Sequence, residues 1–338
     1  MQQPTRLSGL VSLLLLIPFF GLAGCSGGGS GSTTDVSYSG PTAAVTLTAD
    51  NATAVSSFSL AVINDDAVSA DIPIALLGTV PSTTTAQSFN LLPLTRQLLG
   101  NLLDPSVQDG TSSAGVTRTV SCQDGGTLTV SSSIGDTPTA GDSVSASFNN
   151  CNESGSTLNG SVTLVIRSFS GDGATPPWSF ALVFRMDQLR VTVNASGATS
   201  ILHGGYTVRA SDDSTTASVT LSGTSLIIIE PGKSHWLRNF SFDVDVDDAT
   251  SNVSAAYDYK ISSTVIGGTI TVATTERILL HSGAANPYDG TLVITGKNDA
   301  KIRLSAIDET YVMVEYDIVP PDGVYEASTT MTWAELKS

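Results

Sequence analysis

Three carboxylates at alternate positions, Asp243, Asp245 and Asp247, with Asp248 beside the last, form the sharpest charge cluster in the chain. On a strand, alternate residues share one face about 7 Å apart, close enough for such acids to grip a hard cation with help from a loop. They do not make a helix–loop–helix calcium site. Its sixth position is Asp248, where glycine is required, and its twelfth is Ser254, where glutamate is required. A solvated strand face accounts for the same residues without an ion. That is the preferred reading: no metal is expected, and calcium at Asp243, Asp245 and Asp247 is the alternative.

Nucleophilic chemistry finds little support. Gly141-Asp142-Ser143-Val144 is similar to the nucleophile block of the Gly-Asp-Ser esterases, but it follows Thr137-Pro138-Thr139-Ala140, a turn. No histidine has an aspartate three residues before it, as that family's base requires. His203, before Gly204-Gly205, and His235, before Trp236, read as turn residues, and His281 ends a strand; spacing makes none of them a base. Among the tryptophans, Trp178 lies on an apolar strand face and Trp236 in a loop after Pro231-Gly232, so Trp236 is the best candidate for an exposed ring. The expectation is a non-enzymatic protein with no catalytic residues.

One cysteine carries chemistry of another kind. An apolar run from Leu10 to Phe20, preceded by Arg6, ends in Leu22-Ala23-Gly24-Cys25. It is too short for a spanning helix and ends in small residues, as a cleaved signal peptide does. The last four residues resemble the lipobox of bacterial lipoprotein precursors. The resemblance covers only these 25 residues. It implies cleavage before Cys25, a diacylglycerol thioether on its sulfur and an acyl chain, such as palmitate, on the new N-terminus, with no other cofactor. It further implies that Ser26 after the lipidated cysteine favours outer-membrane sorting. The Gly/Ser-rich stretch that follows suits a tether, and residues 26–39 reach at most about 50 Å. A second resemblance, to poorly characterised proteobacterial lipoproteins, rests on Asn286-Pro287-Tyr288-Asp289-Gly290-Thr291-Leu292-Val293-Ile294-Thr295-Gly296 and Thr330-Met331-Thr332-Trp333-Ala334-Glu335-Leu336, and it implies no activity.

Cys122 and Cys151 remain. An even pair in an exported protein reads as a disulfide, and neither a Cys-x-x-Cys spacing nor a nearby histidine points to redox or metal chemistry.

The elements that must position these residues are mainly strands. Trp178 to Asp187, Phe240 to Asp247 and Val253 to Ser262 alternate apolar and polar residues, the pattern of antiparallel strands with one buried face. Further strands are expected at 115–122, 143–150, 161–169, 189–195, 206–210, 218–229, 269–280, 291–295, 302–306, 311–318 and 329–333. Short turns join them, so parallel crossovers are disfavoured. The fold class is mainly β: a long antiparallel meander forming a curled open sheet, half-barrel or sandwich. One or two short N-terminal helices accompany it, one capped near Asp50-Asn51 and a Leu-rich one over Gln87 to Leu103. The expected organisation is 1–24 signal peptide, 25–39 lipidated cysteine and tether, 40–112 mixed segment with the Leu-rich helix, and 113–338 β domain.

Composition narrows the partners. Of 338 residues, 15 are Lys or Arg and 31 Asp or Glu, giving a net charge of −16 with only 14% charged residues. Scattered cations in so acidic a chain cannot neutralise a phosphate backbone, so no nucleic-acid partner is expected. The membrane, reached through the anchor at the cell envelope, is the expected partner. The leading role is binding or structural. A carrier for a hydrophobic ligand, and an envelope esterase or glycan hydrolase, are the alternatives.

Overall fold

The computed structural model describes residues 36–64, 116–134, 139–153, 155–171, 176–318 and 322–337. The signal peptide, Cys25 and the Leu-rich segment Gln87 to Leu103 lie outside the described residues. Among the described residues, fourteen strands follow helix α1 (Ala49–Asn64): β1 (Val116–Ser121), β2 (Thr127–Ser132), β3 (Ser143–Glu153), β4 (Ser156–Ser170), β5 (Trp178–Val193), β6 (Thr199–Asp212) and β7 (Thr216–Glu230). Then come β8 (Lys233–Asp247), β9 (Val253–Ser263), β10 (Gly268–Leu280), β11 (Asp289–Thr295), β12 (Lys301–Ala306), β13 (Tyr311–Asp317), β14 (Ala327–Thr332) and a short helix, α2 (Trp333–Lys337). Each strand pairs antiparallel with the next, in the order β1 to β14. The sheet is open and unclosed, with β1 and β14 at its edges. The meander expected from the alternation is therefore the fold.

One face of the sheet is apolar. Leu128, Val144, Leu164, Phe184, Tyr206, Val219 and Val244 stand on successive strands, β2 to β8, within a single connected core. The other face is lined with hydroxyls that bond across strands, as in Thr119–Thr129 at 2.9 Å and Thr192–Thr199 at 2.8 Å. Such cross-strand pairs stabilise a wet sheet face without charge, which explains how a chain with so few charged residues keeps that face solvated.

A row of irregularities crosses the sheet at one level. The register slips at Phe148/Cys151, Asn159/Ser161, Met186/Leu189, Gly205/Thr207 and Arg238/Ser241. Extra residues fall on β3, β5, β7 and β8. Asn150, Gln188 and Asn239 there adopt positive φ, as do Gly160 and Gly204 on the strands between. Gly204 has φ +122°, and a Cβ there would strike the Ser225 carbonyl of β7. Bulges bend strands and increase their twist, so this line creases the long central strands. Two expectations change here. The strands expected at 178–187 and 189–195 are one strand, β5, because Asp187-Gln188 is a bulge and not a turn. His203 sits inside β6, because Gly204-Gly205 belongs to the same crease.

Helix α1 starts at a reciprocal cap: the Thr48 amide donates to Asn51 Oδ1 at 2.9 Å and the Asn51 amide to Thr48 Oγ1 at 3.3 Å. It buries Ala52, Val55, Ser56, Ser59 and Leu60, whereas Ala54 faces outward. The extended stretch before it pairs with the sheet: the Val45 amide donates to the Thr269 carbonyl at 2.9 Å, and the Thr269 and Lys297 amides to Ala43 and Val45. It enters where β10 and β11 diverge, flanked by Gly268 and Gly296. A side chain at Gly296 would strike the Val45 carbonyl at 2.5 Å. Helix α2 closes the chain with a Thr332–Glu335 capping box and buries Trp333 and Leu336.

Candidate functional site

The aspartate ladder of β8 lies on the hydroxyl face, as alternation requires, but a cation of the protein's own occupies it. Arg277 of β10 donates through Nη2 to Asp245 Oδ2 at 2.6 Å, and its Nη1 lies 3.9 Å from Asp243 Oδ2. The other oxygens accept from Ser218 and Thr220, each at 2.6 Å. Asp247 instead caps the following turn, accepting from the Ala249 and Thr250 amides. Arg277 thus bridges Asp243 and Asp245, two of the three acids offered for calcium, while the third, Asp247, is engaged by its own turn. Nothing in the sequence pointed to Arg277, which lies on another strand with no motif around it. Beyond the ladder, Asp212, Asp213, Asp247 and Asp248 crowd the turns at one end of β6 to β9. Burial, and then the neighbouring Asp212, Asp213 and Asp247, push the Asp248 carboxyl above its usual range.

The other sequence candidates are brought to separate places. Cys122 and Cys151 are joined, with Cα atoms 5.3 Å apart, and tie the β1–β2 turn to the end of β3. Asp142 caps its own turn through Thr139, and Ser143 opens β3, so Gly141-Asp142-Ser143 is the turn its sequence suggested. His281 lies 2.7 Å from Glu309 and stacks on Tyr288. His203 lies 3.5 Å from Asp187. His235 is on the apolar face, stacked on Phe58 of α1, with Nε2 3.6 Å from Glu230. The His235 ring, against the opposing effect of burial and with help from Lys233, holds the Glu230 carboxyl below its usual range.

Trp178 is core, stacked on Phe180. Trp236 is not in a loop. Pro231-Gly232 alone makes the turn, and β8 begins at Lys233. The Trp236 ring is half-buried on the hydroxyl face, where its indole nitrogen donates to Ser225 at 2.9 Å. Tyr38 from the N-terminal stretch packs at 6.0 Å between centroids, and the Arg238 guanidinium stands 4.1 Å over the indole. Arg238 continues to Ser262 at 2.6 Å and to Thr269, two hydroxyls that the N-terminal stretch helps bury. Burial raises the Tyr38 phenol, which Arg238 opposes, so this ring is neutral at physiological pH. No local pattern in the sequence could pair Tyr38 with Trp236, which lies almost two hundred residues further along the chain.

A cavity of about 670 Å³ opens at the start of α1, lined by Leu47, Ala300, Tyr316, Ile318 and Ala327, with Lys297 and Glu326 at its wall. Beside it Asp317, Asp322 and Glu326 approach one another. Asp317 is buried and accepts the Asp322 and Gly323 amides. No helix among the described residues is long and apolar enough to cross a membrane.

No protein-family model, curated protein or solved structure matches the chain. Fold and chemistry must therefore carry the functional argument.

Proposed function

We propose that the protein is an envelope lipoprotein, anchored by lipid on Cys25 at the outer membrane, with a binding or structural role and no catalysis of its own. The observation that carries this reading is Leu22-Ala23-Gly24-Cys25 followed at once by a Gly/Ser tether. The disulfide between Cys122 and Cys151 supports it, because such bonds persist in oxidising compartments outside the cytoplasm. So does the engagement of the conspicuous acids: Asp243, Asp245 and Asp247 hold an arginine, hydroxyls and a turn. Replacing Cys25 with Ser tests the anchor. The variant should move from the membrane to the soluble fraction, and the wild-type N-terminal peptide should carry the mass of the acyl chains. Retention of the variant in the membrane would overturn the reading.

The cavity at the start of α1 favours a second reading, a carrier for a hydrophobic ligand. Its lining is mostly apolar, it opens to solvent, and its size suits a small molecule. Native mass spectrometry of the Cys25→Ser protein, before and after organic extraction, tests it. An extractable extra mass would support the carrier; an unliganded mass, with no binding of added fatty acid, would remove it.

A further inference from the structure

The N-terminal stretch reaches the sheet at one corner, and that corner differs from the rest of the surface. Tyr38 lies on Trp236, and Gly40 is packed against Thr264 in the β9–β10 turn. The same turn exposes Val265 at 57% and carries no charged residue from Thr264 to Gly267. Ser234 and Thr264 bond to each other, so the β7–β8 and β9–β10 turns form one tip. Around this tip stand Lys233, Arg238 and Lys260, with Arg238 and Lys260 paired across β8 and β9. Among the described residues the acid at the tip is Glu230, which Lys233 holds at 3.0 Å. The opposite end of these strands bears Asp212, Asp213, Asp247 and Asp248.

Only residues 26–35 separate Cys25 from the first described residue, Val36. A Gly-rich chain of that length has a root-mean-square span of about 17 Å and a limit of roughly 35 Å. Strands such as β5 run up to about 50 Å. An anchored Cys25 therefore keeps the Trp236 end of the sheet close to the bilayer and leaves the aspartate end remote. Tryptophan and tyrosine favour the headgroup region, and lysine and arginine beside them favour anionic lipid.

We propose that this corner, Tyr38, Trp236 and Val265 with Lys233, Arg238 and Lys260 around them, seats on the lipid headgroup surface and fixes how the sheet stands on the membrane. The inference rests on the reading of Cys25 as the anchor. Seating holds the apolar tip against lipid and turns the aspartate end outward, away from anionic headgroups.

The test uses the chain from Cys25 onward, whose other two cysteines are bonded to each other, so that Cys25 is its one thiol. It is coupled to phosphatidylcholine–phosphatidylglycerol vesicles containing a maleimide lipid and a lipid brominated near the headgroup. Trp178 and Trp333 are buried at 5% and 4%, so quenching reports Trp236. Coupling should quench the fluorescence, Trp236→Phe should remove the quenched component, and Val265→Asp should relieve quenching without changing the thermal melt. Lys260→Glu should relieve it on anionic vesicles but not on pure phosphatidylcholine. Equal emission with and without bromine, or quenching indifferent to Val265→Asp, would overturn the proposal. Because the coupling is chemical, an unlipidated native Cys25 would defeat the anchor reading while this result stood by itself.

Discussion

The Tyr259 hydroxyl of β9 donates a 2.9 Å hydrogen bond to the Ser59 carbonyl of α1, across 200 residues of chain. The ring is fully enclosed in the core beneath the helix, and Tyr257, two residues before it on β9, is buried in the same core. Burial raises the pKa of both phenols well above the ordinary tyrosine value of about 10. Between that value and the folded one, the unfolded chain has lost protons that the native protein keeps. Stability is therefore complete below pH ~10 and falls above it, by up to about 1.4 kcal/mol per pH unit for each tyrosine. Urea melts at rising pH should show the fall, and Tyr257→Phe with Tyr259→Phe should flatten it. At neutral pH, Tyr259→Phe should cost about 1 kcal/mol.

Reducing the disulfide, or replacing Cys122 and Cys151 together by serine, should lower stability by about 3–4 kcal/mol, the loop-closure value for the separation of 29 residues. Urea melts with and without reductant give the number. An unchanged midpoint would mean that the Cys122 turn is already held by its backbone bonds to Asn152.

The crease predicts an unequal cost for like substitutions. Gly204→Ala places a methyl against the Ser225 carbonyl in a backbone region that only glycine visits readily, and should cost at least about 2 kcal/mol. Gly197→Ala also has positive φ, but faces open space in the β5–β6 turn, and should cost about 1 kcal/mol. Comparable losses would show that the crease is not under steric control.

Arg277 supplies the aspartate ladder with a cation of the protein's own. The wild-type melt should therefore ignore both calcium and EDTA. Arg277→Ala leaves Asp243 and Asp245 facing each other without a cation, and should create a calcium dependence that is strongest at low salt. A calcium shift in the wild-type protein would reverse this assignment.

The meander was legible because its strands obey a period of two over long stretches: Phe240, Phe242, Val244 and Val246 are all buried, and Asp243 and Asp245 stand on the other face. What escaped was set by contacts that period does not encode. Inserted residues at the crease shift the alternation by one, so Gln188 imitates a turn and the glycines at 204 and 205 imitate a loop. For the same reason Trp236, beyond the Asn239 bulge, lies out of phase with Phe240 and faces away from it. Strand β2 was not anticipated, since only Leu128 and Val130 mark it among hydroxyl residues. Arg277 could not be placed on the ladder because its position depends on β9 lying between β8 and β10. The turn reading at Asp142 succeeded because it depends only on neighbours in sequence.

The N-terminal clip has a consequence for the order in which the molecule is put together. Every strand pair in the sheet joins sequence neighbours, so hairpins can close one after another at low entropic cost. The clip obeys no such schedule: Thr42 meets Thr269 across 227 residues and Ser59 meets Tyr259 across 200. A chain synthesised from its N-terminus makes the latch long before it makes the keeper. The sheet must therefore be largely zipped before residues 42–64 can lock, and the same segment can let go first while the hairpins hold. The described piece nearest Cys25 is thus the last to be fastened.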